Sequence, residues 1–298
     1  MNFRIVPWFL LITLLVLAAC GTRQTPRKAS QKAFEELVEA ERAFSRASME
    51  QGMKQAFMAW LSDSALVFSP VPRNGKEVHA SSPDVPGLLS WRPQWAVVSA
   101  DGNLGFVSGP WAFGRSGAPA DSLMHGHFVS VWKREKAGWR VILDGGITHP
   151  AMALSSDKIQ TCRGSAAPAD SGYADALAAL QRQEQAFNKI VREKDLHAAL
   201  EQFAHPEVIC NLWNRIPQRG LEAAAEALSA YPGIPQWNTS QAEVAASREL
   251  GYTWGYLVRN GSGKEALPDS SSYLRLWRTN PQGQWKLCLE LENSLHPQ

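Results

Sequence analysis

The sequence predicts an α+β protein made from two copies of one folding unit. Residues 34–146 and 177–292 carry the same ordered landmarks, offset by 143 to 146 positions. Glu41-Arg42-Ala43-Phe44 returns as Glu184-Gln185-Ala186-Phe187, Leu104-Gly105-Phe106 as Leu250-Gly251-Tyr252, and Gly109 as Gly255. Trp132 and Trp139 return as Trp277 and Trp285. Order, spacing and residue type held over so many points mark a tandem duplication. Within each copy, helical periodicity comes first and strand alternation last, which is the α+β order.

Phe34, Leu37, Val38, Glu41, Phe44 and Ala47 recur at helical spacing, as do Leu177, Leu180, Gln181, Glu184, Phe187 and Ile190. A second helix follows in each copy, around Ala56, Phe57 and Trp60 and around Ala199, Leu200 and Phe203. First strands are expected at Ala65–Phe68 and Val208–Leu212. The middles, Pro70–Pro93 and Ile216–Pro235, are rich in Gly and Pro, and the latter holds a short helix, Leu221–Ala230. An antiparallel meander closes each copy: Ala96–Ser99, Leu104–Phe113, Leu123–Lys133 and Gly138–Gly145, then Glu243–Ala246, Leu250–Arg259, Ser271–Arg278 and Gln284–Glu292. The expected domains are 33–147 and 174–298, joined by a Ser/Ala/Pro-rich linker at 148–173.

The N-terminus is expected to be an address. Met1-Asn2-Phe3-Arg4 is a short positive lead, and Ile5–Ala19 is an apolar run short for a bilayer span. Leu17-Ala18-Ala19-Cys20 then resembles the bacterial lipobox, which implies a signal peptide at 1–19 and a lipid anchor on Cys20. Gly21 after the Cys implies, in that pattern, the outer membrane facing the periplasm. Residues 20–32 read as the anchored Cys and a flexible tether reaching at most roughly 40 Å.

Composition narrows the partners. A formal net charge of +2, with no Lys/Arg-rich stripe, speaks against nucleic acid. Forty-five per cent hydrophobic and 19% charged residues are ordinary for globular domains. Beyond Cys20 there are Cys162, Cys210 and Cys288; Cys210 and Cys288 fall on predicted strands of one domain, where they could pair or simply fill the core. No Cys/His spacing resembles a metal site, and no dinucleotide or phosphate-loop fingerprint or Gly-x-Ser-x-Gly elbow is present, so no metal or cofactor is expected.

Gly105-Phe106-Val107-Ser108-Gly109, followed by Gly126-His127-Phe128-Val129-Ser130-Val131-Trp132-Lys133 and Gly138-Trp139-Arg140-Val141-Ile142-Leu143-Asp144, resembles the NTF2-like superfamily, particularly SnoaL-like or DUF4440-type domains. The second copy has Ser271-Ser272-Tyr273 in place of the Gly-His-Phe stretch and resembles it more loosely. The resemblance implies cone-shaped units, each a curved antiparallel sheet wrapped around helices with a pocket between. It also implies dimers packed sheet on sheet, which two copies in one chain could supply as an intramolecular pseudo-dimer. It says little of chemistry, because one scaffold hosts isomerases, cyclases, dehydratases and binding domains.

If Trp132 faces Trp139 across the last hairpin, His127 sits opposite Asp144, a pair that could serve as base and orienter or merely satisfy two polar groups. The same construction puts Ser272 opposite Glu290, with His125 extending the first cluster. Glu41 and Glu184 lie in apolar helix stripes, where a carboxylate needs a partner or a wet pocket. Asp63 reads as a turn residue or a carboxylate at the pocket mouth. Of twelve tryptophans, Trp111 and, lacking aromatic counterparts, Trp95 and Trp213 are candidates for ligand contact.

Three functions fit these residues. The first is a lipid-anchored envelope protein that binds a small, largely apolar or ring-containing ligand, or a protein partner, without catalysis. The second is an acid–base enzyme, an isomerase, dehydratase or cyclase, using His127, Asp144 and Glu41. The third is a structural domain pairing with other envelope proteins.

Overall fold

The computed structural model describes residues 26–295, except 69–70, 84–85, 116, 118, 120–121, 154–157, 163–171, 232 and 260–268. The proposed signal sequence and Cys20 lie outside the described residues. Among the described residues, no helix is long and apolar enough to cross a membrane.

The first unit runs α1 (Pro26–Gln51), α2 (Met53–Trp60), β1 (Leu61–Phe68), β2 (Pro72–Asn74), α3 (Gly75–Ser81), β3 (Leu88–Trp91), β4 (Trp95–Val98), β5 (Leu104–Gly114), β6 (Met124–Glu135) and β7 (Gly138–Thr148). The second runs α4 (Tyr173–Glu193), α5 (Leu196–Phe203), β8 (Ala204–Leu212), β9 (Gln218–Arg219), α6 (Leu221–Ser229), β10 (Pro235–Val244), β11 (Leu250–Arg259), β12 (Asp269–Thr279) and β13 (Trp285–Ser294). Helix α1 begins at Pro26, so residues 26–32, read from sequence as tether, are helical. Proline suits a first turn, and Lys, Ala and Gln after it are good helix formers.

Each unit is an open curved sheet, ordered β2-β1-β7-β6-β5-β3 with β4 also on β5, and β10-β11-β12-β13-β8-β9. The sheets are mixed, correcting the expectation of purely antiparallel strands: β1 lies parallel to β7, with Val67 opposite Asp144, and β8 parallel to β13, with Cys210 opposite Glu290. A parallel pair needs a long crossover, and the whole middle of each unit provides it.

The repeated glycines have a steric cause. A Cβ on Gly109 would run into the Arg92 carbonyl, and one on Gly255 into that of Asn238. Both positions lie where a neighbouring backbone crosses the strand closely.

One sheet face of each unit covers its helices and the other covers its sister. Leu37, Phe44, Phe57, Val67, Trp132, Trp139 and Val141 form the core between the first sheet and its helices. On the opposite face, Phe106, Val129, Val131 and Leu143 share one core with Tyr252, Leu274, Leu276, Leu289 and Leu291 of the second unit. Phe106 and Tyr252, equivalent residues of the two copies, meet edge-on with ring centroids 6.2 Å apart. The copies therefore pack sheet on sheet as a pseudo-dimer within one chain. Lys133 reaches Glu243 at 2.7 Å, and Asn293 Nδ2 donates to the Phe68 carbonyl at 3.0 Å across the junction.

Candidate functional site

The last hairpin sets the site, and its register corrects the one expected. Glu135 faces Gly138 and Arg134 faces Trp139, so the loop is tighter than a turn placing the two tryptophans opposite each other. A bulge then intervenes: Val131 faces Leu143 but Trp132 faces Val141, leaving Ile142 as the extra residue. Ser130, not His127, consequently stands opposite Asp144, and its hydroxyl donates to Asp144 Oδ1 at 2.8 Å. The second unit repeats the device with Cys288 as the extra residue, placing Arg275 opposite Glu290 and Ser272 opposite Asn293.

His127 faces Ile147 and turns to the other side of the sheet from Asp144. There it is 5% exposed, and its Nδ1 is 2.8 Å from His149 Nε2. His149 Nδ1 lies 2.7 Å from the Pro150 carbonyl, which can only accept. His149 therefore donates through Nδ1, and its Nε2 accepts a hydrogen bond from the His127 Nδ1–H. Burial first, and then His149, push the His127 pKa down to about 3. His127 is a neutral structural partner of His149, and the His127–Asp144–Glu41 cluster does not form. His125 and His149 border a separate shallow depression of about 260 Å³ beside Trp111.

Asp144 instead opens onto a cavity of about 830 Å³ between the first sheet and its helices. Phe44, Phe57, Trp91, Trp111, Phe128 and Leu89 are part of its apolar wall. The second unit contributes Trp213 and Asn293, so the cavity is finished by the sister domain. This volume is within the usual range for a small-molecule site. Lys54 and His79 stand on the helical rim; Lys54 donates to the Ser82 carbonyl at 3.0 Å, and His79 packs on Phe57.

Behind the wall, Glu41 is 0% exposed and accepts from Trp91 Nε1 at 2.6 Å and Trp132 Nε1 at 2.8 Å. Burial raises its pKa to about 8 against the pull of the two indoles, and the nearby Asp144 adds to the rise. Burial likewise lifts Asp144 to about 7, opposed by the Ser130 hydroxyl. Near neutral pH this region thus holds two carboxyls that are largely or partly protonated.

The second unit answers the same geometry differently. Arg275, 0% exposed, occupies the position of Ser130. Its guanidinium meets Glu184 at 2.6 Å, Asn188 at 3.2 Å and Glu290 at 3.0 Å. It lies 4.3 Å from the ring centroids of Phe187 and Trp237 and 5.2 Å from that of Tyr273. Glu184 and Glu290 are therefore members of a buried ion cluster.

Asp63 is an exposed carboxylate on β1, held by Lys76 at 2.5 Å, and is not among the residues lining the cavity. Trp95 is buried in the core shared by the two units and does not line the cavity. Trp111 and Trp213 do line it. Cys210 points into the helical core and Cys288 into the shared one, so opposite faces separate them; the neighbour of Cys288 is Cys162. Among the described residues, no group of His, Cys, Asp or Glu could hold a metal. Sequence reading missed Ser130 and Arg275, whose signal was a buried charge at a strand position otherwise repeated.

No family model matches the chain, and no curated protein does. Solved structures with a similar outline include a ketosteroid isomerase-like protein from Erwinia carotovora atroseptica, at 14% identity and a TM-score of 0.36, over 41% of this chain and 98% of that one. An NTF2-like protein of unknown function from Pseudomonas putida is 12% identical, over 41% of this chain and 89% of that one, with a TM-score of 0.35. An NTF2-like protein from Cytophaga hutchinsonii is 16% identical, over 40% and 97%, with a TM-score of 0.33. Each covers about two fifths of this chain.

Proposed function

We propose that this chain is a lipid-anchored bacterial envelope protein, a tandem member of the NTF2-like superfamily, whose first domain binds a small, largely apolar, ring-containing ligand. The lipobox-like Leu17–Cys20 motif supports the anchor and, with Gly21, a place at the outer membrane facing the periplasm. The observation that carries the binding function is the aromatic-walled cavity of about 830 Å³ in the first unit. Glu41 and His127 spend their polar atoms on structural partners, which favours binding over turnover. In this reading the second domain is a scaffold, its ion cluster standing where the first has its site.

The test is fluorescence titration of the full chain with the neutral probe phenylnaphthylamine. Saturable binding with one site per chain supports the proposal; absence of saturable binding rejects it. The alternative of acid–base catalysis rests on one observation, the Asp144 carboxyl poised at about 7 on the cavity wall. It predicts turnover lost in Asp144→Asn, whereas a binding protein converts no bound ligand.

A further inference from the structure

We infer that the ligand of the first-unit cavity carries an organic cation, an ammonium or guanidinium group on an apolar body, received by Asp144 and the rings of Phe44, Trp91 and Phe128. The inference rests on reading that cavity as a ligand site and names the chemistry of the ligand's head.

The duplication supplies an internal comparison. In the second unit, the side chain of Arg275 extends from β12 into the space between sheet and helices. Its guanidinium sits against the faces of Phe187, Trp237 and Tyr273 and between the carboxylates of Glu184 and Glu290. Each of these groups has a counterpart in the first unit: Phe44, Trp91, Phe128, Glu41 and Asp144. The frame is the same as well as the residue types. Phe44 meets Trp91 and Trp132 edge-on at 83° and 81°, and Phe187 meets Trp237 and Trp277 at 78° and 83°.

Only the cation is missing, because Ser130 replaces Arg275. Phe44, Trp91, Phe128, Ser130 and Asp144 all line the open cavity as a result. Aromatic faces combined with a carboxylate form a receptor for organic cations, since ring quadrupoles and a formal charge attract the same partner. A purely apolar ligand would leave Asp144 facing it with the Ser130 hydroxyl as partner and no countercharge, which costs free energy once the carboxyl ionises.

The other charged groups of the wall do not oppose this. Lys54 and His79 belong to the rim built by α2 and α3, where Lys54 is tied to Ser82, whereas Asp144 lies on the sheet. Burial and the Ser130 hydroxyl account for the state of Asp144, with no contribution from Lys54.

The experiment is calorimetric titration of the full chain with three matched probes, naphthylmethylamine, naphthylmethanol and naphthoate, at about pH 8.5, where Asp144 ionises readily and the amine stays charged. The amine is expected to bind at least about ten-fold more tightly than the alcohol, and the acid most weakly. Asp144→Asn, checked for folding by its melting transition, should bring the amine down to the alcohol. Ser130→Arg, which installs the second unit's arrangement, should abolish amine binding. Equal or tighter binding of the alcohol by the unaltered protein overturns the cation inference while leaving the cavity reading intact. A preference for the amine that survives Asp144→Asn or Ser130→Arg overturns it too, placing the cation elsewhere. Failure of all three probes to bind rejects the ligand site itself.

Discussion

Ser130 and Arg275 occupy the same strand position in the two copies, each opposite a carboxylate, Asp144 at one and Glu290 at the other. The short side chain leaves space bounded by rings; the long one fills the equivalent place with a guanidinium. This single difference distinguishes the interiors of two domains whose strands follow the same order and share the same bulge.

Removing the guanidinium should damage the second unit more than any surface change. Arg275→Ala leaves Glu184 and Glu290 buried without their cation, and a loss of about 3–5 kcal/mol is expected. Urea denaturation of both proteins measures the difference.

Glu41→Gln tests the paired indoles. An amide oxygen can accept from one of Trp91 and Trp132, but the amide nitrogen cannot accept from the other, so about 1–3 kcal/mol should be lost at acidic pH. The folded-state pKa of about 8 lies above the usual carboxylate value, so the folded protein holds the extra proton. Its stabilisation is complete below the unfolded pKa and disappears as pH rises through about 8. The variant should therefore show a flatter fall in urea midpoint from acid to alkaline pH. An unchanged slope would contradict the assignment.

Leu289 is fully buried in the core shared by the two sheets. Leu289→Ala is expected to cost about 2–5 kcal/mol. Because that core belongs to both units, calorimetry should show one transition moved to lower temperature, with no separate melting of the first domain.

Trp213 is half-buried and reaches the first unit's cavity from the second. Trp213→Ala should weaken phenylnaphthylamine by about ten-fold, roughly 1.4 kcal/mol, while barely changing the urea midpoint. Equal affinity would show that the sister domain adds no binding contact.

The two-unit organisation was legible because Trp132, Trp139, Gly109 and their counterparts occupy positions where bulk or its absence is required by packing. The α+β order followed from two periodicities that a sequence carries openly. The register was not legible. A bulge adds one residue without marking itself, and Ile142 and Cys288 look like any other apolar strand residue. The turn displaced the expected register by two residues and the bulge by one more, and it is the bulge that puts His127 and Asp144 on opposite faces and undoes the expected His–Asp pair. The pocket walls were partly readable: Trp111 and Trp213 line the cavity, whereas Trp95 serves the shared core, a distinction made by which sheet face each side chain takes. Asp63 illustrates the opposite limit, for a carboxylate near the start of a strand looks the same whether it borders a pocket or solvent.

Joining the two sheets within one polypeptide has an outcome that separate subunits cannot reach. In a symmetric homodimer every substitution is made twice, so a serine that opens one chamber opens both. Within one chain the halves can differ: one has an internally neutralised interior, while the other has a cavity whose walls are completed by Trp213 and Asn293 of its sibling.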